Sequence, residues 1–424
     1  MKKLTTYHIL LLLLALLVLL KYELIYNGVV FVALTFYELI FNTAATIKLL
    51  DFRTLDFLFS IVFLFILPPV LHYLYKNYRF LKIKFRITYL VFLLLMLGFI
   101  FAPLLSNFHP NAQPSVRATR FLNPLSSVMV LTLKEENSKS KFLELKDGVI
   151  NNPTISNKLF VNSYIEKGSS VLIKQGNKES TIEKDKLIMN DGNISIDKKY
   201  FIFGTDELGR DVFSRIIYGA RVSIFIAVFT VVISLTVGLW LGFLAAYFGG
   251  LLNMILSRLT DVFLTIPSIF FVIMILALWG NSIFAVILVL GLTGWMQLFK
   301  IVKGEVSSNI QKDYFVTSKK LGFPLTKLLS SDIIPAILLQ LSIFTVFQFS
   351  NVILAESSLS YLGLGVGLNY PSWGNMILSG QKYMTSGEWL IIIPSFMLVI
   401  SILAINDLGE KIKKELNPRI KNDK

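Results

Sequence analysis

Residues 312–335 read KDYFVTSKKLGFPLTKLLSSDIIP and form a polar, basic segment between two long apolar runs. Gly322 lies inside the segment, and Pro335 follows it thirteen residues later. The residues on both sides of Gly322 have helical patterning, and glycine adopts the turn that redirects a chain after a helix at little cost. The segment is therefore predicted to be an internal loop of a membrane protein.

The chain around this loop is strongly apolar. It has 424 residues, is 54% hydrophobic and has a mean hydropathy of +0.66, which excludes a large soluble enzyme. Crossing about 30 Å of hydrocarbon takes about 20 apolar helical residues. Runs of this kind occupy residues 8–26, 29–47, 57–74, 87–105, 222–248, 262–279, 283–299, 337–355 and 389–405. The predicted fold class is an all-α polytopic membrane protein.

The net charge of +14 is concentrated in two short loops. Residues 76–86 hold five basic residues and no acid, and residues 299–335 hold six lysines against three acids. Short basic loops between spans are typical of cytoplasmic faces. A basic groove with interleaved aromatics is absent, so no nucleic-acid partner is predicted.

Counting crossings from these two loops predicts the organisation of the chain. Residues 1–86 hold extra N-terminal transmembrane segments, and residues 87–105 are the first core helix. Residues 106–200 form a polar extracytoplasmic insert, and residues 201–424 form a core with five spans. Two alternatives remain open for the first two apolar segments. Lys2 and Lys3 lie outside if both segments span, and inside if one of them is interfacial.

The insert contains short β-like runs at residues 127–132 and 170–173. Turn-forming pairs follow at Asp147-Gly148, Gln175-Gly176 and Asp191-Gly192. This pattern is typical of a small β-rich domain or a partly ordered insert.

Several kinds of site are missing from the sequence. There is no cysteine, and the three histidines are scattered, so no disulfide or metal site is predicted. No G-x-x-x-x-G-K-[ST], G-x-S-x-G or H-E-x-x-H string occurs. These absences predict that the chain neither binds nucleotide phosphates through a P-loop nor carries one of these catalytic sites.

A second signature, GTDELGRDVFSR, occupies residues 204–215 just before a span. By itself it is explained by an interfacial turn and a short helix capped by Asp206. Further strings follow in order: SRLTD at 257–261, IPS at 266–268, KGEV at 303–306, AESSLSYLGLG at 355–365, PSWGNM at 371–376 and LNPR at 416–419.

Taken together, these strings resemble the permeases of dipeptide, oligopeptide and nickel ABC importers, specifically the C-type transmembrane subunit. The 312–335 segment is similar to the EAA loop of that family, although the Glu-Ala-Ala triplet is Val316-Thr317-Ser318 here. The resemblance covers roughly residues 200–420 and one preceding span.

The resemblance implies a type I ABC importer transmembrane domain in the bacterial cytoplasmic (inner) membrane. The implied partners are a second, different permease subunit, two cytoplasmic ABC ATPase subunits and an extracytoplasmic solute-binding protein. The implied substrates are di- and oligopeptides, with nickel or another small solute as the alternative. No catalytic, cofactor or metal site is implied. The implied ATPase-coupling residues are Asp313, Tyr314, Thr317, Ser318, Leu321, Gly322 and Pro335. The other motif residues are Gly204, Thr205, Asp206, Gly209, Arg210, Asp211, Arg258, Asp261, Pro267, Glu356, Gly363, Gly365, Trp373 and Gly374.

Some of these residues also have structural explanations. Arg258 and Asp261 lie three apart on a helix and are expected to pair as a clamp. For Glu356, at the outer end of a span, a functional and a structural role are equally supported. The small residues at 234, 238, 242 and 246 are expected to pack against another helix of the chain or a second subunit.

Two rival functions are weaker. A membrane-anchored sensor or scaffold would use residues 106–200 as its ligand domain, but an anchor needs few spans. An ion-coupled transporter needs ionisable residues within the membrane, and the spans between 262 and 355 carry almost none.

Overall fold

A computed structural model describes residues 5–41, 43, 50–77, 87–134, 141–150, 157–190, 193–367 and 369–416. Most of the predicted basic loop 76–86, the pair Asp191-Gly192 and all but Leu416 of the LNPR string lie outside these residues. The chain forms two compact units. One unit comprises residues 1–221 and 379–395, and the other comprises residues 222–378 and 396–424.

Among its described residues, the first unit contains the β-rich insert and five complete helices longer than one turn. Its helices are α1 (Thr6–Leu20), α2 (Tyr22–Phe41), α3 (Phe52–Asn77), α4 (Ile87–Leu105) and α5 (Lys141–Val149). It also contains a single turn at Val116–Thr119 and the first residues of α6 (Val212–Phe248). Asp51 caps α3, because its carboxylate accepts hydrogen bonds from the backbone N–H and the hydroxyl of Thr54.

Three antiparallel sheets are formed by the residues of the insert that the structure describes. Their strands are β1 (Ser126–Thr132), β2 (Lys158–Val161), β3 (Ser163–Lys167), β4 (Ser170–Gln175), β5 (Lys178–Glu183), β6 (Met189–Asn190), β7 (Asn193–Ile194) and β8 (Ile196–Phe201). The strand orders are β2-β1-β8, β3-β4-β5 and β6-β7. The predicted β-like runs are confirmed as β1 and β4. The predicted turn at Asp147-Gly148 is wrong, because both residues lie in α5, where tertiary packing outweighs the turn propensity of the pair.

Helix α1 runs alongside α3 and α4. Tyr7, near its start, stacks on Tyr75 in the last turn of α3, with the ring centroids 4.4 Å apart. Lys21, just after its end, donates a 2.9 Å hydrogen bond to Asn107, which follows the last residue of α4. Residues 78–86 connect the end of α3 to the start of α4. Helix α1 begins at this end of the α3–α4 pair and finishes at the opposite end.

Helix α2 packs against the insert. Phe31 in the middle of α2 stacks on Phe142 of α5, with the ring centroids 5.3 Å apart. Although α2 is long and apolar enough to span a membrane, α2 and α3 both begin at the end of the unit where α1 finishes. These starts fit the alternative in which one of the first two apolar segments is interfacial. Lys2 and Lys3 lie outside the described residues.

Helices α3 and α6 are joined by an ion pair. The guanidinium of Arg221 donates to both carboxylate oxygens of Asp56. The side chains are 26% and 10% exposed, so the pair is largely shielded from water. A bidentate arginine–carboxylate contact fixes orientation as well as distance. The pair therefore holds the extra N-terminal helices against the first core residues.

All regular elements among the described residues of the second unit are helices. It contains the remainder of α6, then α7 (Gly250–Thr265), α8 (Ser268–Trp279), α9 (Ile283–Asn309), α10 (Asp313–Lys320), α11 (Leu338–Tyr361), the first residues of α12 (Trp373–Gln381) and most of α13 (Trp389–Leu416). Shorter pieces lie at Leu325–Lys327, Leu328–Ile333 and Ile334–Ala336. Within the described chain, seven helices are long and apolar enough to span, and the pair α7 and α8 forms one bent candidate.

The predicted continuous run at 262–279 is wrong in one respect. It is divided between α7 and α8, which are bent by 87° relative to each other. Pro267 lacks a backbone N–H and disfavours helical geometry at the residue before it. Ile266 accordingly has φ −88° and ψ 124°, which ends α7.

The small-residue stripe of α6 packs within the chain. A Cβ added at Gly238 would lie 2.8 Å from Leu298, and one added at Gly242 would lie 2.8 Å from Val302. The Ser234 hydroxyl donates a 3.0 Å hydrogen bond to the carbonyl of Gly291. Close approach of α6 to α9 thus requires these small residues, and the intramolecular alternative is confirmed.

The topology can be tested by cysteine labelling, because the chain has no native cysteine. We expect Ser169→Cys in the insert and Tyr37→Cys in α2 to react from outside intact cells with a membrane-impermeant maleimide. Lys319→Cys in the 312–335 loop is the matched inside control and should react only after permeabilisation. Labelling of Tyr37→Cys from the inside alone would mean that α2 crosses the membrane.

The Asp56–Arg221 pair is predicted to stabilise the first unit. Asp56→Ala should lower the free energy of unfolding by about 3 kcal/mol, because it leaves a largely buried guanidinium unpaired. Thermal unfolding of the purified protein in detergent, followed by circular dichroism, measures the loss. Glu23→Ala, at an exposed acid of α2, serves as the control. The double exchange Asp56→Arg with Arg221→Asp should recover part of the stability, and equal effects of Asp56→Ala and Glu23→Ala would contradict the prediction.

Candidate functional site

The 312–335 loop begins with α10 and turns at Gly322. Gly322 has a φ of +74°, which confirms the turn conformation expected of it. The N–H of Gly322 donates a 3.0 Å hydrogen bond to the carbonyl of Lys319, and the N–H of Phe323 donates a 3.3 Å hydrogen bond to the carbonyl of Ser318. This is the arrangement in which a left-handed residue ends a helix. Because space around Gly322 is open, a side chain there is opposed by backbone strain rather than by a clash.

Helix α10 is anchored by one side chain. Phe315 is 1% exposed and lies in a cluster contributed by several helices. The other buried members are Phe243, Leu298, Val302, Val306, Leu328, Leu329, Ile333, Ile337 and Phe344. Burying a phenylalanine stabilises its position by about 2 kcal/mol. The loop is therefore fixed to α6, α9 and α11 rather than loosely attached.

The opposite side of the loop is open. Tyr314 is 43% exposed and Leu321 is 68% exposed. Asp313, Thr317 and Pro335 are also exposed, whereas Ser318 is half-buried. The implied coupling residues thus lie mostly on the accessible side of the loop. An exposed aromatic and an exposed leucine beside polar groups are typical of a protein contact surface.

Internal polar contacts shape this surface. Asn309 Oδ1 accepts hydrogen bonds from the Tyr314 hydroxyl at 2.9 Å and from Lys312 Nζ at 2.7 Å. Lys319 Nζ lies 4.4 Å from the ring centroid of Tyr247, a cation–π contact. The sequence reasoning missed Phe315, Asn309 and Tyr247. Of these, only Phe315 could have been recognised from the sequence, because it is an aromatic residue within a polar helix.

The GTDELGRDVFSR signature forms a compact turn in the first unit. Gly204 and Gly209 have φ values of +72° and +73°. A Cβ at either position would collide with the backbone of Leu122 or the hydroxyl of Thr119. Thr205 is fully buried and its hydroxyl donates to the carbonyl of Thr119. These contacts give the signature a structural role.

Asp206 and Arg210 of the signature bond within it. The Asp206 carboxylate accepts from the N–H of Leu208 at 3.0 Å and of Arg210 at 2.9 Å, and from Arg210 Nε at 2.6 Å. Asp206 therefore closes the turn. It does not cap the helix, so the capping role that the sequence suggested for it is wrong. Asp211 is the cap, because its carboxylate accepts from the N–H and hydroxyl of Ser214. Burial raises the pKa of Asp211, and the hydrogen bonds from Ser214 oppose that rise.

The expected clamp between Arg258 and Asp261 is not formed among the described residues. Asp261 instead pairs with Lys300 Nζ at 2.9 Å, which joins α7 to α9. Both side chains are about half exposed. The Asp261–Lys300 pair holds α7 and α9 together. A pair between Arg258 and Asp261 would have linked residues of α7 only. Pro267 breaks the helix six residues later.

Glu356 is fully buried in the second unit, in a cluster of serines. Its carboxylate accepts from Ser223 Oγ at 3.0 Å and from Ser360 Oγ at 2.7 Å. The turn after α11 closes over this cluster. A Cβ at Gly365 would lie 1.9 Å from Ser360 Oγ, and one at Gly374 would lie 2.2 Å from the carbonyl of Ser357.

The turn over Glu356 has two further fixed points. Trp373 is fully buried. Gly363 has a φ of +80°, and its carbonyl accepts a 2.7 Å hydrogen bond from the side chain of Asn281. The motif residues from Glu356 to Gly374 thus form one packed group, distinct in role from the exposed loop.

Comparisons with known proteins identify relatives of this chain. Residues 238–422 match the family model described as "Binding-protein-dependent transport system inner membrane component". The dipeptide transport system permease protein DppC of Bacillus subtilis is 34% identical over 220 residues, which cover 52% of this chain and 69% of the relative. The di/tripeptide permease DppC of Pseudomonas aeruginosa is 32% identical over 222 residues, covering 52% of this chain and 73% of the relative.

This chain belongs to the binding-protein-dependent transport permease family, in the branch of the dipeptide and oligopeptide permeases. It is a permease subunit of an ABC importer and a multi-pass protein of the inner membrane. As a permease subunit, it is a transport component. The predicted fold class is confirmed as a polytopic helical protein with a small β-rich region.

Two further matches extend the comparison. The oligopeptide permease OppC of Haemophilus influenzae is 32% identical over 220 residues, covering 52% of this chain and 71% of the relative. An inward-facing structure of the MetNI methionine ABC transporter covers 48% of this permease and 96% of its own chain, with 16% identity and a TM-score of 0.40.

The turn at Gly322 generates a testable prediction. Gly322→Val should abolish substrate uptake and weaken copurification of the ATPase, because a β-branched residue cannot adopt a positive φ without strain. Gly304→Val is the matched control, since a Cβ at Gly304 also meets open space but its φ is not positive. Membrane levels measured by immunoblot should stay near wild type for both. Wild-type uptake by Gly322→Val would contradict the coupling role.

Proposed function

We propose that this permease carries di- and oligopeptides across the inner membrane in an ATP-driven importer of the type I architecture. Its partners in this proposal are a second, different permease, two cytoplasmic ABC ATPase subunits and an extracytoplasmic solute-binding protein. The names of the relatives support the peptide substrate. The exposed, rigidly anchored loop at 312–335 is the observation that carries the coupling role.

Rigid attachment explains how the loop can transmit force. A flexible loop would absorb a push from the ATPase, whereas Phe315 fixes α10 to residues of α6, α9 and α11. Packed interfaces switch between discrete arrangements instead of deforming continuously. Closure of the ATPase subunits is therefore expected to move these helices together and to alternate the permease between inward-open and outward-open states.

The first unit completes the proposed organisation. Residues 87–105 are proposed as the first core helix and residues 201–424 as the permease core. Residues 106–200 are proposed as an extracytoplasmic insert, and residues 1–86 as an N-terminal addition that supports it. The Phe31–Phe142 and Asp56–Arg221 contacts favour this assignment, because they connect the addition both to the insert and to α6.

The energy source can be tested directly. The sequence contains no phosphate-binding loop, so the purified permease should neither bind nor hydrolyse ATP. In proteoliposomes with its companion permease and ATPase subunits, binding protein plus dipeptide should stimulate hydrolysis. Stimulation has this sign because a loaded binding protein can act only by favouring the state in which the ATPase closes. Measurements of phosphate release and of labelled-peptide uptake together test the proposal.

The matched control for that experiment is the same assembly with binding protein but without dipeptide. Its hydrolysis should stay near the basal rate. Peptide uptake by the permease alone, driven by an ion gradient without nucleotide, would refute the proposed function.

A further inference from the structure

A cavity of about 390 Å³ lies within the second unit, at the bend between α7 and α8. Pro267 and its neighbours form one wall, and α9 and α11 contribute the others. Four uncharged polar side chains from these two helices line it: Thr293, Gln297, Gln348 and Asn351. No charged side chain is found among the described residues of the lining.

The three amide side chains, Gln297, Gln348 and Asn351, have no hydrogen-bond partner within the described chain. Gln297 and Asn351 are exposed, and all three lie in the middle of helices long enough to span the membrane. An unpaired amide facing lipid loses several kcal/mol of hydrogen bonding. These side chains are therefore expected to face a water-filled space or a polar ligand.

The side chain of Gln348 packs closely against Gly294 of α9. A Cβ at Gly294 would lie 2.5 Å from Gln348 Nε2 and 2.4 Å from Ser234 Oγ. Only a glycine at 294 leaves room for the amide between α9 and α11. The closely packed α6–α9 pair thus supports one side of the cavity.

We propose that this cavity is a contact site for the main chain of the transported peptide. The inference rests on the proposed function and names the residues that would meet the substrate. Each amide side chain has both a donor and an acceptor, which matches the N–H and C=O of a peptide group. Without charges, the site holds peptides regardless of the charge on their side chains.

The test introduces charge at Asn351, an exposed lining residue. Asn351→Asp and Asn351→Lys are each assembled with the complete importer in proteoliposomes. Uptake of glutamyl-glutamate, alanyl-alanine and lysyl-lysine is measured relative to wild type for each peptide, which cancels the preference of the binding protein. We expect Asn351→Asp to lower uptake of the acidic peptide about fivefold more than that of the basic peptide. Asn351→Lys should do the opposite.

Two further measurements keep the result interpretable. Gln297→Glu and Gln297→Lys form a second pair at another exposed position of the lining, in case the first pair fails to assemble. Hydrolysis stimulated by the binding protein should persist in the variants, and Thr236→Leu on an exposed face of α6 should leave uptake unchanged. Charge variants that change uptake of all three peptides by the same factor would overturn the site alone. A wild-type importer that transports none of them would overturn the proposed function as well.

Discussion

Close contact between α6 and α9 is the constraint on which the second unit depends. Gly238 and Gly242 let the two helices approach until Leu298 and Val302 touch the backbone of α6. Little hydrophobic force drives helices together inside a bilayer, so association relies on such close packing. Leu298 and Val302 also belong to the cluster that buries Phe315. The position of the 312–335 loop is therefore a consequence of two glycines in a different helix.

The motifs divide into exposed and structural sets, although they look alike in sequence. In the 204–215 signature and at Gly365 and Gly374, glycines are required because a Cβ would collide with neighbouring atoms, whereas the surroundings of Gly363 are open. Asp206 in the first group and Glu356 in the second are satisfied by internal hydrogen bonds. At Gly322 the surroundings are open and only the backbone angle demands glycine. The same residue type thus marks a packed scaffold in one place and an accessible surface in another.

The sequence predicted the spans better than their geometry. Length and hydropathy located α4 at its observed limits, because hydrophobic length is a local property. The division of 262–279 into two helices was missed, although Pro267 was noted, since a proline inside a span either kinks or breaks it depending on neighbours. The partner of Asp261 could not be found locally, because Lys300 lies on another helix. The packing of α2 against the insert, through its contact with α5, could not be predicted from hydropathy, because hydropathy does not report which elements touch.

Helices α9 and α11 connect the 312–335 loop to the cavity. Val302 and Val306 of α9 pack in the cluster around Phe315, and Gln297 lines the cavity little more than one turn from Val302. On α11, Phe344 lies in the same cluster and Gln348 follows it by one turn. A helix transmits a displacement along its axis because its backbone hydrogen bonds resist stretching. Movement of α10 would therefore shift amides on two walls of the cavity together. A site without charges suits that arrangement, because several weak hydrogen bonds can be exchanged during a crossing without holding the substrate in place.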